Sequence, residues 1–294
     1  MRAGVLNVDK PAGMTSFAVV RRLRSLTRAR RVGHAGTLDP LATGVLPILF
    51  EAATRLSEYA LRLPKTYEAE VYLGACTPTD DAESEPQPVA PADHLTAEVV
   101  ADALSRFVGR IEQRPPAFSA VKVDGRRAYE RARRGDLSRP APRTVEIHSA
   151  ELLDFRPGGR PVARIRVTCG SGTYLRSLAR DLGDALGVGG YLGQMSRTAY
   201  GNLRLEDARR LDDLGDAAAV EAALLPPEVV LPADMERVRL TDEQEAAVRR
   251  GRPVRVLPEP RSRLLRAHDE QGRLVALGHA DPLRRTFVPD KVLG

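Results

Sequence analysis

The loop at residues 31–47, with the sequence RVGHAGTLDPLATGVLP, constrains this chain more than any other segment. Its three glycines and two prolines disfavour a regular helix and allow another backbone or a ligand to come close. A single carboxylate, Asp39, lies within the loop. Pro40 keeps Asp39 in an extended or turn conformation. Asp39 is therefore either a functional group held in place or a turn residue that bonds its own backbone.

Length and composition define the general class of protein. The 294 residues, 43% apolar and 29% charged, suit a globular chain with one large domain or a large and a small one. No apolar run is long enough for a membrane span, and the N-terminus lacks a secretory signal. The two cysteines, Cys76 and Cys169, suggest neither a metal site nor a disulfide framework, so we expect no metal and a cytoplasmic location. The net charge of +6 is compatible with a polyanionic partner.

Hydrophobic periodicity and capping residues predict a mixture of helices and strands. Thr15 or Ser16 is expected to cap a helix that runs to about Arg30, and Thr173 to cap one that runs to about Leu186. Further helices are predicted at 53–61 and 97–107, and strands at 5–10, 66–73, 145–155 and 162–169. Residues 226–232 predict a linker. Beyond it, a capping box at Thr241 and Gln244 and several short strands predict a compact, mostly β unit.

Residues 33–44, GHAGTLDPLATG, resemble the signature loop of the TruB-type tRNA pseudouridine synthases. The resemblance is strong from about Val5 to Tyr200 and weak beyond. It implies an α+β pseudouridine synthase fold, with a mixed, largely antiparallel sheet whose central cleft holds Asp39. It also implies a catalytic domain at 1–230 and a small, mostly β, PUA-like RNA-binding domain at 235–294. For this second unit, the alternative is an extension that only packs against the first.

An insertion at about residues 114–140 is expected to grip the RNA stem-loop in such a protein. A basic helix is predicted within it, and its arginines either form a solvated face or contact RNA. These arginines are Arg126, Arg127, Arg131, Arg133 and Arg134. Phe118 stands where the family usually carries tyrosine, and Ser196 replaces a family arginine, so we do not expect the contacts of those two groups here.

The reaction that the resemblance implies is the isomerisation of a T-loop uridine of tRNA, position 55 in tRNA numbering, to pseudouridine. The bond from ribose C1′ to uracil N1 breaks, and the base rejoins through C5. No atoms are gained or lost and no redox step occurs, so we expect no cofactor. The uridine must leave its loop because base stacking shields the glycosidic bond.

Three residues carry the catalytic roles by this resemblance: Asp39, Tyr67 and Arg176. Asp39 meets the sugar, either as a nucleophile at C1′ or as a base for the 2′ proton. Arg176 is the cation that keeps this carboxylate ionised. Tyr67 packs on the flipped uracil and takes the C5 proton; without the motif it would read as a core tyrosine of a strand.

Five further residues are expected around the substrate: His34, Tyr174, Met195, Lys10 and Asp81. His34 is expected to fill the space that the flipped base leaves, and Lys10 to support the active site. Met195 stands where a leucine lines the uracil pocket, and methionine can fill such a space adaptably. Asp81 is either a contact to a flipped nucleotide or a solvated loop acid.

Three kinds of function remain open from the sequence. The first is an enzyme that acts alone on tRNA, the second a synthase that needs a guide RNA and partner proteins, and the third a non-catalytic protein that binds or folds tRNA. The compact C-terminal part and the lack of charged tails favour the first. We expect a monomer, since the ligand is large and no symmetric apolar stripe is visible.

Overall fold

The computed structural model of the chain describes residues 1–119, 121–123, 126–132, 134–256 and 262–293. Within these ranges the α-helices are α1 (Ser16–Thr27), α2 (Ser57–Arg62), α3 (Ala97–Ser105), α4 (Ala128–Ala132), α5 (Leu175–Ala185), α6 (Ala217–Ala222) and α7 (Asp242–Arg249). Short 3₁₀ helices occupy Glu51–Leu56, Leu211–Asp213 and Pro227–Val230. None of the described helices is both long and apolar enough to cross a bilayer.

The strands alternate with these helices along the chain. They are β1 (Gly4–Lys10), β2 (Val32–His34), β3 (Thr43–Phe50), β4 (Lys65–Leu73), β5 (Ala75–Cys76), β6 (Gln87–Pro88), β7 (Gly109–Gln113), β8 (Lys122–Val123), β9 (Arg126–Arg127), β10 (Arg143–Arg156), β11 (Val162–Cys169), β12 (Gly190–Tyr200), β13 (Leu203–Arg204), β14 (Arg209–Arg210), β15 (Glu236–Arg239), β16 (Val254–Arg255), β17 (Leu264–His268), β18 (Leu274–Asp281) and β19 (Thr286–Val292).

One mixed sheet dominates the described chain, in the order β14-β1-β3-β12-β4-β11-β10-β7, with β2 beside β3 and β13 beside β12. The β1–β14 and β3–β12 pairs are parallel and the other pairs antiparallel. The prediction of an α+β fold with a largely antiparallel sheet is confirmed. In β4 the residues Tyr67, Ala69 and Val71 are buried in alternation, which turns their face towards the leucines of α5 in the main core.

Helix α1 enters this fold at a residue that the sequence identified. Thr15 is its N-cap, since its side chain accepts a hydrogen bond from the Ala18 amide. Ser16 instead faces inward and is buried. The helix ends at Thr27, earlier than predicted, because Arg28 adopts a left-handed conformation with φ of 52°. The following residues therefore reach β2 and lead into the signature loop.

The prediction that Thr173 caps α5 is wrong. The helix begins at Leu175, and the Thr173 hydroxyl donates to the Gly170 carbonyl instead. The side chain of Gln113 holds the start of α5: it accepts from the Tyr174 amide at 2.8 Å and donates to the Tyr174 carbonyl at 3.1 Å. A residue in β7, far away in sequence, thus replaces the local cap.

The segment predicted as a basic helix is helical in its central part only. Arg126 and Arg127 form β9, which pairs with β8, and helix α4 covers only Ala128–Ala132. Arg133 lies outside the described residues. Strand β9, paired with β8, takes up the positions at which the sequence indicated the start of the helix.

The C-terminal sheet, in the order β15-β17-β18-β19-β16, has its own apolar core. It follows a segment that is not a free linker, because Val230 and Leu231 are buried. They share a second core with Leu274 and Leu277 of β18 and with residues of the large sheet. Lys291 adds a hydrogen bond to the Arg55 carbonyl at 3.0 Å and an ion pair with Glu58. The C-terminal sheet is therefore packed firmly against the first unit.

Both ends of the 114–140 segment are tied to the large sheet through Asp80. Its buried carboxylate contacts Arg180 of α5 and Arg139, each at 2.8 Å. Arg180 also donates to the Arg114 carbonyl at 3.0 Å. Asp80 has φ of 60°, a left-handed conformation that aspartate and asparagine tolerate better than most residues. Through Arg180 and Arg139, Asp80 thus helps to fix where this segment leaves and rejoins the core.

Replacement of Asp80 by asparagine is expected to lower the free energy of unfolding by about 2 kcal/mol, because the buried guanidinium of Arg180 loses one of its two carboxylate partners, Asp80 and Asp181. Asparagine keeps the left-handed backbone, so the loss reports the charge. The measurement is urea denaturation at pH 7. Asp102→Asn is the control: its pair with Arg106 is exposed, and the expected loss is below about 0.5 kcal/mol. Equal losses in the two variants would contradict the buried tether.

Candidate active site

The structure brings Asp39 and Arg176 together. A carboxylate oxygen of Asp39 lies 3.0 Å from a guanidinium nitrogen of Arg176. The side chain of Asp39 is 40% exposed, whereas that of Arg176 is only 8% exposed. The carboxylate is thus open to solvent on one side and neutralised by a cation from behind. This arrangement lets an ionised acid meet a ligand without a full desolvation penalty.

Asp81 is a second partner of the same arginine. Its carboxylate lies 3.6 Å from Arg176, which also donates to the Thr79 carbonyl at 3.4 Å. The Thr79 hydroxyl donates to Asp81 at 2.6 Å, and the Glu83 amide donates at 3.0 Å. At 9% side-chain exposure Asp81 is not the solvated loop acid that was one of its two readings. It orients Arg176 towards Asp39.

The backbone around Asp39 is held from below by α1 and β1. The buried Ser16 hydroxyl donates to the Leu38 carbonyl at 3.1 Å and accepts from the Leu38 amide at 2.9 Å. The Gly13 amide donates to the Pro40 carbonyl at 2.8 Å. The residues on both sides of Asp39 are therefore fixed, which leaves its side chain as the movable part.

Lys10 is also beneath the loop and is fully buried. Its ammonium donates to the carbonyls of Met14 at 2.7 Å, Pro11 at 2.8 Å and Pro40 at 3.2 Å. The expectation that Lys10 contacts the substrate is therefore wrong, because no surface of its side chain is open to a ligand. It supports the backbone next to Asp39. Burial lowers its pKa to about 8.

Tyr67 lies on β4, and its side chain faces the same interior as the loop. Burial raises the pKa of its hydroxyl above the usual value, while the neighbouring Arg197 acts in the opposite direction. His34 ends β2, and burial lowers the pKa of its imidazole, so the ring is neutral near pH 7. Its buried Nδ1 has no hydrogen-bond partner in the described part of the chain. These two rings supply bulk and polarity without added charge.

Tyr174 and Met195 lie at the margin of the site. Tyr174 is half-buried at the start of α5, and burial raises its pKa, with Asp39 among the charges that act on it. Met195 is half-exposed on β12 and lines a cleft of about 920 Å³ together with Leu41 and Ala69. Asp39 itself does not line this cleft. The cleft meets the loop at Leu41, two residues after Asp39, and the Asp39 carboxylate lies outside its lining.

Arg197 is the residue that sequence reasoning missed. It is 1% exposed, donates to the carbonyls of Val45 at 2.7 Å and Gly36 at 3.0 Å, and lies 3.5 Å from the Tyr67 hydroxyl. The only local signal is one arginine in a strand that is otherwise mostly buried.

Comparison with known proteins decides the family. Residues 24–175 match the TruB family pseudouridylate synthase (N terminal domain). The chain belongs to this family. It is 49% identical over 248 residues to tRNA pseudouridine synthase B of Symbiobacterium thermophilum, covering 84% of this chain and 82% of that protein. It is 43% identical over 275 residues to the Mycobacterium tuberculosis protein of the same name, covering 93% and 91%.

Solved structures agree with this membership. A chain in a crystal structure of a Cbf5–Nop10–Gar1 complex is 28% identical, with a TM-score of 0.73, and the alignment covers 99% of this chain and 85% of that one. A structure of an H/ACA RNP bound to a substrate RNA containing 2′-deoxyuridine gives 26% identity and a TM-score of 0.73. The likeness to these two chains thus extends through the C-terminal sheet.

The buried amine of Lys10 gives this TruB-family chain a testable pH dependence. Its pKa falls from 10.5 to about 8 on folding, so between these values the unfolded chain binds a proton that the folded chain does not. The free energy of unfolding of the wild type is therefore expected to rise with pH, relative to a Lys10→Met variant, by up to about 1.4 kcal/mol per pH unit. Urea denaturation from pH 7 to 10 measures the difference, and a difference that stays flat would contradict it.

Proposed function

We propose that this chain isomerises a uridine of tRNA to pseudouridine, with Asp39 as the essential carboxylate. The observation that carries the proposal is the pair of Asp39 and Arg176 at 3.0 Å, with the acid open to solvent and the cation buried behind it. Asp39 lies in a loop within the residues that match a pseudouridylate synthase family, and Arg176 lies on α5. The names of the relatives, tRNA pseudouridine synthase B, support tRNA as the substrate.

The chemistry asks for an ionised carboxylate at the ribose. Breakage of the bond from C1′ to N1 develops positive charge on the sugar, which a carboxylate stabilises as it does in glycosidases. Asp39 can meet C1′ or the 2′ proton only as a carboxylate, and the guanidinium of Arg176 lies 3.0 Å from it. Because Asp81 and Thr79 hold Arg176 from the other side, the cation stays in place when Asp39 moves towards the sugar.

The base would occupy the space between Tyr67, Tyr174 and Met195. Tyr67 packs against the uracil ring and takes the proton from C5 after the base has rejoined the sugar. Met195 supplies an adaptable apolar contact, and the neutral His34 fills the gap that the flipped nucleotide leaves in the RNA loop. These roles rest on the family resemblance and, for His34, on the neutral ring described above. As a base, Tyr67 acts in its phenolate form, which the neighbouring Arg197 favours.

The finer assignments follow from the same resemblance. We place the target at position 55 of the T loop, the catalytic domain at residues 1–230, the RNA-gripping segment at 114–140 and a PUA-like domain at 235–294. The tether of both ends of the 114–140 segment through Asp80 supports a defined position for it. We propose a monomer that acts in the cytoplasm, where its free cysteines, Cys76 and Cys169, stay reduced.

Replacement of Asp39 by asparagine separates catalysis from binding. The variant keeps the shape of the side chain, so its Kd for tRNA is expected to stay within about threefold of wild type, while the single-turnover rate falls more than about 10³-fold. Filter binding and release of tritium from C5-labelled uridine measure the two quantities. Asp102→Asn, on the exposed face of α3, is the matched control. Full turnover by Asp39→Asn would remove the catalytic assignment.

A single unmodified tRNA transcript tests the choice between a stand-alone and a guide-dependent enzyme. The purified chain alone is expected to form one pseudouridine, and to form none in a transcript whose position 55 is cytidine. Mapping of pseudouridine by carbodiimide modification and reverse transcription reads the site. Product that appeared only after addition of another RNA or protein would favour the guide-dependent function, and tight binding without product would favour a tRNA-folding protein.

A further inference from the structure

Arg197 is a buried cation that the proposed reaction does not yet use. In the described part of the chain its guanidinium forms no salt bridge with a carboxylate, and its hydrogen bonds go to two backbone carbonyls and a phenol. Its charge lies 4.9 Å from the ring centre of Tyr200 and 5.9 Å from that of Tyr67. A buried charge without an acid partner is costly, so a purely structural role would be served better by an apolar side chain.

The two carbonyls that Arg197 binds lie on opposite sides of Asp39 in the chain. Gly36 precedes Asp39 by three residues and Val45 follows it by six. The guanidinium is planar and rigid, so its Nε and Nη2 atoms fix the separation of these two points. One side chain thus closes the base of the loop that carries the carboxylate.

Two glycines of the signature loop make this closure possible. A Cβ at Gly36 would lie 2.9 Å from the Tyr200 ring and 3.3 Å from the Arg197 guanidinium. A Cβ at Gly44 would lie 2.3 Å from the Arg197 carbonyl, and both glycines have positive φ. The loop can therefore pack directly on Arg197 and Tyr200 only because Gly36 and Gly44 have no side chains.

The same guanidinium also reaches Tyr67. Arg197 and Tyr67 face each other in the register of β12 and β4, and Nη1 lies 3.5 Å from the Tyr67 hydroxyl. Burial raises the pKa of this hydroxyl, and the charge of Arg197 opposes that effect. A cation beside the phenol oxygen favours the form that accepts a proton.

We propose that Arg197 is a positioning residue that holds the Asp39 loop and the Tyr67 hydroxyl at a fixed separation, so that both reach the same nucleotide. The inference rests on the proposed function, and it gives Arg197 no contact with the substrate. It explains why a buried guanidinium, and not an apolar side chain, lies beneath the site: only a planar donor with several N–H groups can bind Gly36, Val45 and Tyr67 at once.

The test compares Arg197→Met, Arg197→Lys and the wild type in tRNA binding and in single-turnover rate. Methionine keeps much of the length but removes the donors, and we expect the rate to fall about 100-fold with a Kd within about threefold of wild type. Lysine keeps the charge, but its donors all sit on one nitrogen and cannot span the three acceptors, so it is expected to recover about tenfold of that loss. Arg204→Met is the matched control, since Arg204 is exposed and, among the described residues, its guanidinium donates only to the carbonyls of Gly201 and Leu203.

A double-mutant cycle with Tyr67→Phe separates positioning from general support of the fold. If Arg197 acts through Tyr67, its replacement lowers the rate less in the Tyr67→Phe background than in the wild type. A general loss of fold would lower the rate by the same factor in both backgrounds. If Arg197→Met does not fold, Arg197→Lys decides: a rate loss of about tenfold at unchanged Kd supports the inference. A rate within about twofold of wild type in the folded variant would overturn it. Absence of product from the wild type would instead overturn the proposed function.

Discussion

The ion pair between Asp39 and Arg176 joins a loop near the N-terminus to a helix from the second half of the chain. The loop is rigid because Ser16, Gly13 and Lys10 bind its backbone, and the helix is placed by Gln113. The pair therefore forms only when β1, α1, β7 and α5 are all in place. An open carboxylate of this kind is the product of the whole large sheet and not of the loop alone.

Two neighbouring acids beside the site each pair with an arginine of α5. Asp80 and Asp81 are neighbours in the chain, and each binds a different arginine of α5, Arg180 and Arg176, one helical turn apart. Two buried cations on one helix face would repel each other and destabilise the fold without these acids. Because the two pairs share one short loop, the tether of the 114–140 segment and the orientation of Arg176 are mechanically linked.

Much of this could be predicted from the sequence. The loop composition marked Asp39, and the family resemblance supplied Arg176 as its partner. Strict alternation predicted the buried faces of β4 and β11, and a capping box marked α7 at Thr241. Such signals are local: a cap, a period of two or a glycine acts through neighbours in the chain.

The missed features are those that distant residues decide. The start of α5 depends on Gln113. The pairing of β8 with β9 replaces the start of a predicted helix, and the apolar residues around Val230 pack where prolines indicated a linker. Arg197 carries no local sign of its surroundings, since the carbonyls that bind it come from another strand and another loop. Lys10 was expected to support the site, but only the structure shows that its three partners are backbone oxygens.

The shared core between β18 and the large sheet has a consequence for recognition at a distance. Leu274 and Leu277 are buried together with Val45 and Leu49 of β3, the strand that follows the Asp39 loop. A polymer that touched both the C-terminal sheet and the carboxylate would bind at two places, and the shared core fixes the distance between them. Shape along the whole ligand, and not only the reacting nucleotide, would then decide which molecules fit.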